Sequence, residues 1–110
     1  MSIFVVMEYI IKPDKLAEYP TLFKKYEEWK ISDPELFKEV RSMKVFRQSV
    51  GGTVGGYVEM WEFESLTDWD KWRAKYYSNK EALDWNQVWL DVIIPGTWSY
   101  KNIWNLVSSL

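Results

Sequence analysis

The chain has 110 residues, enough for one domain, and its 14 Lys and Arg against 16 Asp and Glu leave a formal charge of −2. It has no cysteine and no histidine. That excludes disulfide scaffolds, thiol enzymes, zinc fingers and the Ser-His-Asp and Cys-His forms of nucleophilic catalysis. The densest basic cluster is Lys24-Lys25, which argues against nucleic acid as a partner, because counterion release needs a basic face.

Aromatic residues are abundant: 8 Trp, 7 Tyr and 5 Phe, or 18% of the chain. A folded domain of 13.2 kDa exposes about 6,400 Å² of the roughly 19,000 Å² of its extended chain. At about 200 Å² each, the aromatics account for some 4,000 Å² of the buried surface. That is a large share for one small core, so aromatic surface is expected to reach a subunit interface or a pocket. The segment Met1–Ile11 is apolar but short, carries Glu8 and lacks a basic flank, so neither a membrane span nor a signal peptide is expected. Cytoplasmic residence is the default.

Ile3–Ile11 is rich in β-branched and aromatic residues and closes at Pro13, which predicts the first strand. Leu16, Tyr19, Leu22, Phe23, Tyr26 and Trp29 then follow the spacing of an amphipathic helix. Pro20 predicts a kink or a broken first turn there. Ser32-Asp33-Pro34 ends the helix, and Glu35–Glu39 reads as a short turn. Val40–Val50 predicts the second strand, Gly51-Gly52 a two-residue hairpin turn, and Thr53–Glu64 the third strand. Gly55-Gly56 inside that strand marks a bulge or close backbone approach. The glycine pairs do not make a phosphate loop, since a strand and not a helix follows.

Two capping-box patterns come next. Ser65-Leu66-Thr67-Asp68 opens a helix with Trp69, Trp72 and Tyr76 on one face. Ser78-Asn79-Lys80-Glu81 opens another, with Ala82, Trp85, Trp89 and Val92 as its stripe and Pro95-Gly96 as its stop. Thr97–Val107 predicts a last strand with Trp98, Tyr100, Asn102, Trp104 and Leu106 in one phase. The order β-α-β-β-α-(α)-β is that of an α+β, ferredoxin-like split βαβ domain with a four-stranded antiparallel sheet. Helices in this arrangement cover one sheet face only. Strand one is nonetheless apolar on both faces apart from Glu8, with Phe4, Val6 and Ile10 opposite Ile3, Val5, Met7, Tyr9 and Ile11. A second copy packed sheet to sheet explains this, and a homodimer is expected.

The run Glu59-Met60-Trp61-Glu62-Phe63-Glu64-Ser65-Leu66-Thr67-Asp68-Trp69 resembles the strand-to-helix junction of the dimeric α+β barrel superfamily. That superfamily includes antibiotic-biosynthesis monooxygenases and NIPSNAP proteins. Strand one and Lys12-Pro13-Asp14 leading into a helix with Phe23 are similar to theirs as well. The resemblance implies two sheets paired into a central barrel, with a pocket in each subunit between sheet and helices. Trp61 matches a pocket tryptophan of the haem-degrading branch. The asparagine which that branch carries on strand one is Met7 here, and its histidine haem ligand has no counterpart. No cofactor is expected. The cofactor-free oxygenase branch uses Asn, Trp, Tyr and Arg around a polyphenol.

Tyr9, Tyr57, Glu59 and Trp61 share the helix-side face if strands one and three keep the register this match implies. A buried carboxylate is costly unless paired. Glu59 is therefore either salt-bridged, with Arg47 on the neighbouring strand as partner, or a general base with a raised pKa. Trp61 is either a core residue or part of a pocket wall, and Asn102 either a pocket hydrogen-bonder or an edge-strand residue. Glu27-Glu28 and Asp68/Asp70 read as solvated faces, and no metal site is demanded. Two functions remain. One is a homodimeric small-molecule-binding or assembly protein with an aromatic-lined pocket, its ligand contacts Tyr9, Tyr57, Trp61 and Asn102. The other is a cofactor-independent monooxygenase acting on an electron-rich aromatic or quinol, with Glu59 as base.

Overall fold

The computed structural model describes residues 2–52 and 55–109. Its element order is β1 (Ile3–Tyr9), α1 (Tyr19–Ser32), β2 (Ser42–Arg47), β3 (Tyr57–Phe63), α2 (Leu66–Tyr76), α3 (Lys80–Val92) and β4 (Ser99–Asn105), with a single 3₁₀ turn at Pro13–Lys15. The four strands form one antiparallel sheet in the order β2-β3-β1-β4, the arrangement of the ferredoxin-like α+β fold. The two central strands are therefore the first and third, and they carry the most buried side chains.

Several local expectations shift for identifiable reasons. β1 ends at Tyr9, and Ile11 joins only an isolated bridge to Ile93. Pro20 causes no kink, because α1 starts at Tyr19 and proline falls in its first turn, where its missing N–H is no loss. Leu16 consequently lies outside the helix, exposed. The β2–β3 connection is longer than a two-residue hairpin. Gln48 and the Gly55-Gly56 pair close its base, through Gln48 N–H to Gly56 O at 2.8 Å and Gly55 N–H to Gln48 O at 2.9 Å. Gly51 and Gly52 adopt φ of +77° and +53°, a conformation that side chains resist. The expected start of the third strand at Thr53 lies outside the described residues.

Both helix starts after β3 are capped by side chains. Ser65 accepts from Asp68 N–H at 3.2 Å. For α3 the cap is Asn79, which accepts from Ala82 N–H at 3.0 Å, and not Ser78. The Ser78 hydroxyl instead donates back to Ala74 O at 2.8 Å. Substituting such a cap costs about 1 kcal/mol.

β4 departs furthest from simple alternation. Val6 stands opposite Asn102 but Met7 opposite Tyr100, so Lys101 is a bulge residue. The bulge reverses the phase of the strand: Tyr100 joins Met7 on the helix side, while Asn102 and Trp104 join Val6 and Phe4 on the outer face.

The helices lie on the face of Val5, Tyr9, Trp61 and Phe63. Two buried groups meet there: Ile3, Val5, Trp61, Phe63, Trp72, Tyr76 and Ala82, and beside them Tyr9, Ile11, Tyr19, Tyr26, Trp89, Val92 and Ile93. The rings interlock mostly at tilted and edge-on angles, among them Trp61–Trp72 at 5.0 Å and Tyr26–Trp89 at 5.4 Å and 85°.

Among the described residues no helix covers the outer face. Phe46 and Trp104 are each 48% exposed there. Its two carboxylates are tied at opposite ends of an apolar band. Glu62 accepts from Ser2 and Ser42 hydroxyls at 2.5 and 2.8 Å, and Glu8 accepts from Gln48 Nε2 at 2.6 Å with Lys101 Nζ 3.7 Å away.

Candidate functional site

The β1–β3 register sets Tyr9 opposite Tyr57, Met7 opposite Glu59 and Val5 opposite Trp61. Because alternate residues share a face, Tyr9, Tyr57, Glu59 and Trp61 are all brought to the helix side. Val5, Tyr9, Glu59, Trp61, Trp72 and Tyr100 are among the residues lining a cleft between sheet and helices. With its open mouth included, the cleft measures about 580 Å³. It is narrow, and its interior has room for only about two or three water molecules.

Glu59 is the carboxylate in this aromatic wall. Trp61 donates its indole Nε1–H to Glu59 Oε1 at 3.0 Å, and the Tyr9 hydroxyl also hydrogen-bonds the carboxylate. The Tyr9 and Tyr19 hydroxyls are 2.5 Å apart. Each has one proton to give, so with Glu59 ionised the consistent chain is Tyr19 donating to Tyr9 and Tyr9 to Glu59. Burial raises the Glu59 pKa above its ordinary value; the Trp61 and Tyr9 hydrogen bonds and the charge of Lys30 oppose that rise. Burial also pushes the hydroxyls of Tyr9, Tyr19 and Tyr26 upward, and that of Tyr76 to about 12. All four remain protonated donors at neutral pH. Tyr26 and Tyr76 pair with each other at 3.0 Å.

Arg47 is not the partner of Glu59. Register places Val45 opposite Glu59 and leaves Arg47 exposed at the end of β2, opposite Tyr57. The nearby cation is Lys30 of α1. Its side chain is 11% exposed, its Nζ lies 3.3 Å from Glu27 Oε2, and it stands 5.1 Å above the rings of both Tyr26 and Trp61. Burial lowers the Lys30 pKa, and Glu27 works against that shift. Among the described residues no ion pair reaches Glu59 itself.

Two of the expected ligand contacts sit elsewhere. Tyr57 lies behind Tyr9, stacked on it at 5.6 Å and 10° and tilted against Tyr19 at 4.8 Å. Asn102 is carried to the outer face by the β4 bulge and is exposed. The residues that sequence patterning passed over are Lys30, Tyr19 and Tyr100. A lysine four residues after Tyr26 on an aromatic stripe was the available signal for the first. Tyr100 needed the bulge, which nothing in the strand's composition marks.

The site offers a proton acceptor held by two neutral donors within an apolar, aromatic enclosure. Such an environment favours transfer of a proton from an acidic hydroxyl onto the carboxylate. Among the described residues no group of three acidic side chains is placed to hold a metal ion. No helix among them is long and apolar enough to cross a membrane.

Fold and site together define a ferredoxin-like α+β domain with an acidic, aromatic-walled cleft between sheet and helices. An uncharacterised NIPSNAP-like domain protein from Burkholderia xenovorans superposes with a TM-score of 0.72 at 21% identity, over 99% of this chain and 89% of that one. SnoaB, a cofactor-independent oxygenase from Streptomyces nogalater, superposes with a TM-score of 0.65 at 10% identity, over 99% and 96%. A dimeric protein of unknown function and ferredoxin-like fold from Bacteroides fragilis gives 0.63 at 12%, over 96% of each chain. At these identities the likeness establishes the fold. No protein-family model matches the chain, and no curated protein matches it in sequence.

Proposed function

We propose that this protein is a homodimeric small-molecule-binding protein whose ligand presents an acidic hydroxyl to Glu59 in the cleft between sheet and helices. The observation that carries the reading is a carboxylate set among aromatic rings with hydrogen-bond donors but, among the described residues, no ion-pair partner. Trp61 and Tyr9 orient Glu59, and Tyr57 holds Tyr9 in place from behind. A flat aromatic ligand suits walls made of Trp72, Trp61 and Tyr100. The test is a binding screen of phenols, polyphenols and quinols followed by tryptophan fluorescence. Binding that Glu59→Gln weakens supports the reading; no binding by any member overturns it.

The homodimer forms through the outer face. Phe4, Val6, Val58, Met60, Phe46 and Trp104 make its apolar band, bounded by the tied carboxylates. The molecule is a slab, 39 × 35 × 23 Å, and exposes 7020 Å², above the roughly 6,400 Å² of a typical monomer this size. The dimeric Bacteroides fragilis protein shares the fold. Asn102 lies on this face, so any ligand contact it makes belongs to a site shared with the second copy. Cytoplasmic residence is part of the same proposal, and neither nucleic acid nor membrane is a partner in it.

The second reading is catalytic. SnoaB has this fold and is a cofactor-independent oxygenase. In a reaction of that class Glu59 takes the hydroxyl proton of an electron-rich aromatic or quinol, and the resulting anion passes an electron to dioxygen. Oxygen consumption with a bound quinol, lost in Glu59→Gln, is the sign of it; binding without consumption leaves the first reading alone.

A further inference from the structure

The cleft continues into a wider opening between α3 and β4. Tyr77, Asn86, Trp98 and Tyr100 line both spaces, and Leu90 lines the outer one, which measures about 520 Å³ with its open side included. The Tyr77 and Tyr100 hydroxyls are 3.3 Å apart at the boundary. Apart from the tyrosine hydroxyls, the indole N–H groups and Glu59, Asn86 brings the polar side chain of the inner wall, and the one there with an acceptor as well as a donor on a neutral amide.

Its position is unusual for its chemistry. Asn86 is four residues after Ala82 and three before Trp89, both buried, so it occupies the core-facing stripe of α3. Every other inward residue of that stripe is apolar or aromatic. Among the described residues its carboxamide has no hydrogen-bond partner. A half-buried carboxamide on an apolar stripe offers both a donor and an acceptor to whatever fills the space.

We propose that Asn86 reads a second polar group of the ligand. The ligand is then a flat molecule with an acidic hydroxyl at one end for Glu59 and a carbonyl further along for the Asn86 amide, and it arrives through the opening between α3 and β4. This inference rests on the binding reading above and narrows it to hydroxyaryl carbonyl compounds. The inner cleft takes the hydroxyl-bearing edge, and the remainder of the ring system lies in the wider space against Leu90 and Trp98.

The experiment compares two probes that differ by one carbonyl, 2-naphthol and 6-acetyl-2-naphthol, by fluorescence or calorimetric titration of the full chain. The wild type is expected to bind the acetyl compound at least fivefold more tightly, the gain of about one hydrogen bond. Asn86→Leu and Asn86→Asp, which cannot donate to a carbonyl, are expected to remove that preference, the two probes then binding each variant within about twofold of one another. Retained 2-naphthol binding also certifies that each variant is folded. If both variants keep the preference, or the wild type has none while still binding 2-naphthol, the role of Asn86 is overturned and the Glu59 reading stands. If neither probe binds the wild type, both fall together.

Discussion

Trp61 and Glu59, two residues apart on one face of β3, are joined by an indole N–H···carboxylate hydrogen bond of 3.0 Å. A strand normally leaves such neighbours side by side and separate. Here the contact fixes the carboxylate against the aromatic wall and leaves its other lone pairs for Tyr9 and for the cleft. Trp61 is thus both a core residue, packed on Trp72 at 5.0 Å, and a member of the site. The two roles that its sequence position suggests are not alternatives.

The first prediction concerns pH and stability. Glu59 has a folded-state pKa raised above its ordinary value of 4.5. The folded state therefore holds the proton more tightly than the unfolded one, and this contribution is complete below pH 4.5. It is lost as pH rises through the folded-state pKa. Glu59→Gln keeps an acceptor for Trp61 and has no proton to lose. Chemical denaturation across pH 4–8 should show a decline in the wild type that is shallower in the variant; parallel curves would refute the shift.

Lys30 should act on Glu59 through space. Its charge favours the ionised carboxylate, so Lys30→Met is expected to raise the Glu59 midpoint further. Carbon-13 NMR of the Glu59 carboxyl measures this directly. An unchanged midpoint would mean that the Lys30 charge is spent on Glu27.

Two tyrosines that stack on each other should respond differently to loss of a hydroxyl. Tyr9→Phe removes the link between Tyr19 and Glu59 and should cost about 1–3 kcal/mol, since buried polar groups lose their partner. Tyr57→Phe keeps the stacked ring and should fall within about 0.5 kcal/mol of the wild type. Equal costs, read by urea denaturation, would place Tyr57 in the hydrogen-bonded chain.

The outer face yields a prediction about mass. Light scattering should give about twice 13.2 kDa for the wild type, and Met60→Lys, at the centre of the apolar band, should give the monomer by burying a charge in the interface. A wild-type mass near 13.2 kDa at micromolar concentration would rule out the dimer.

The fold was legible because its signals are local and repeated. β1 and β3 are rich in β-branched and aromatic residues, α2 and α3 have side-chain caps, and the aromatic stripes of α1 and α3 follow helical spacing. The β1–β3 register was legible too, and it brings Tyr9, Glu59 and Trp61 together. What escaped depended on non-local events. A single bulge at Lys101 reverses the phase of β4, turning Tyr100 inward and Asn102 outward. Lys30 reads as a surface charge until α1 is laid across Trp61. Arg47 seemed within reach of Glu59 until pairing set it opposite Tyr57.

The most direct test of the central claim is a pH titration of the Glu59 carboxyl carbon by NMR, with and without 2-naphthol. The midpoint should lie above 4.5 in the free protein, and that resonance should shift when the probe is added. A midpoint at the ordinary carboxylate value, with a resonance indifferent to the phenol, would contradict that claim.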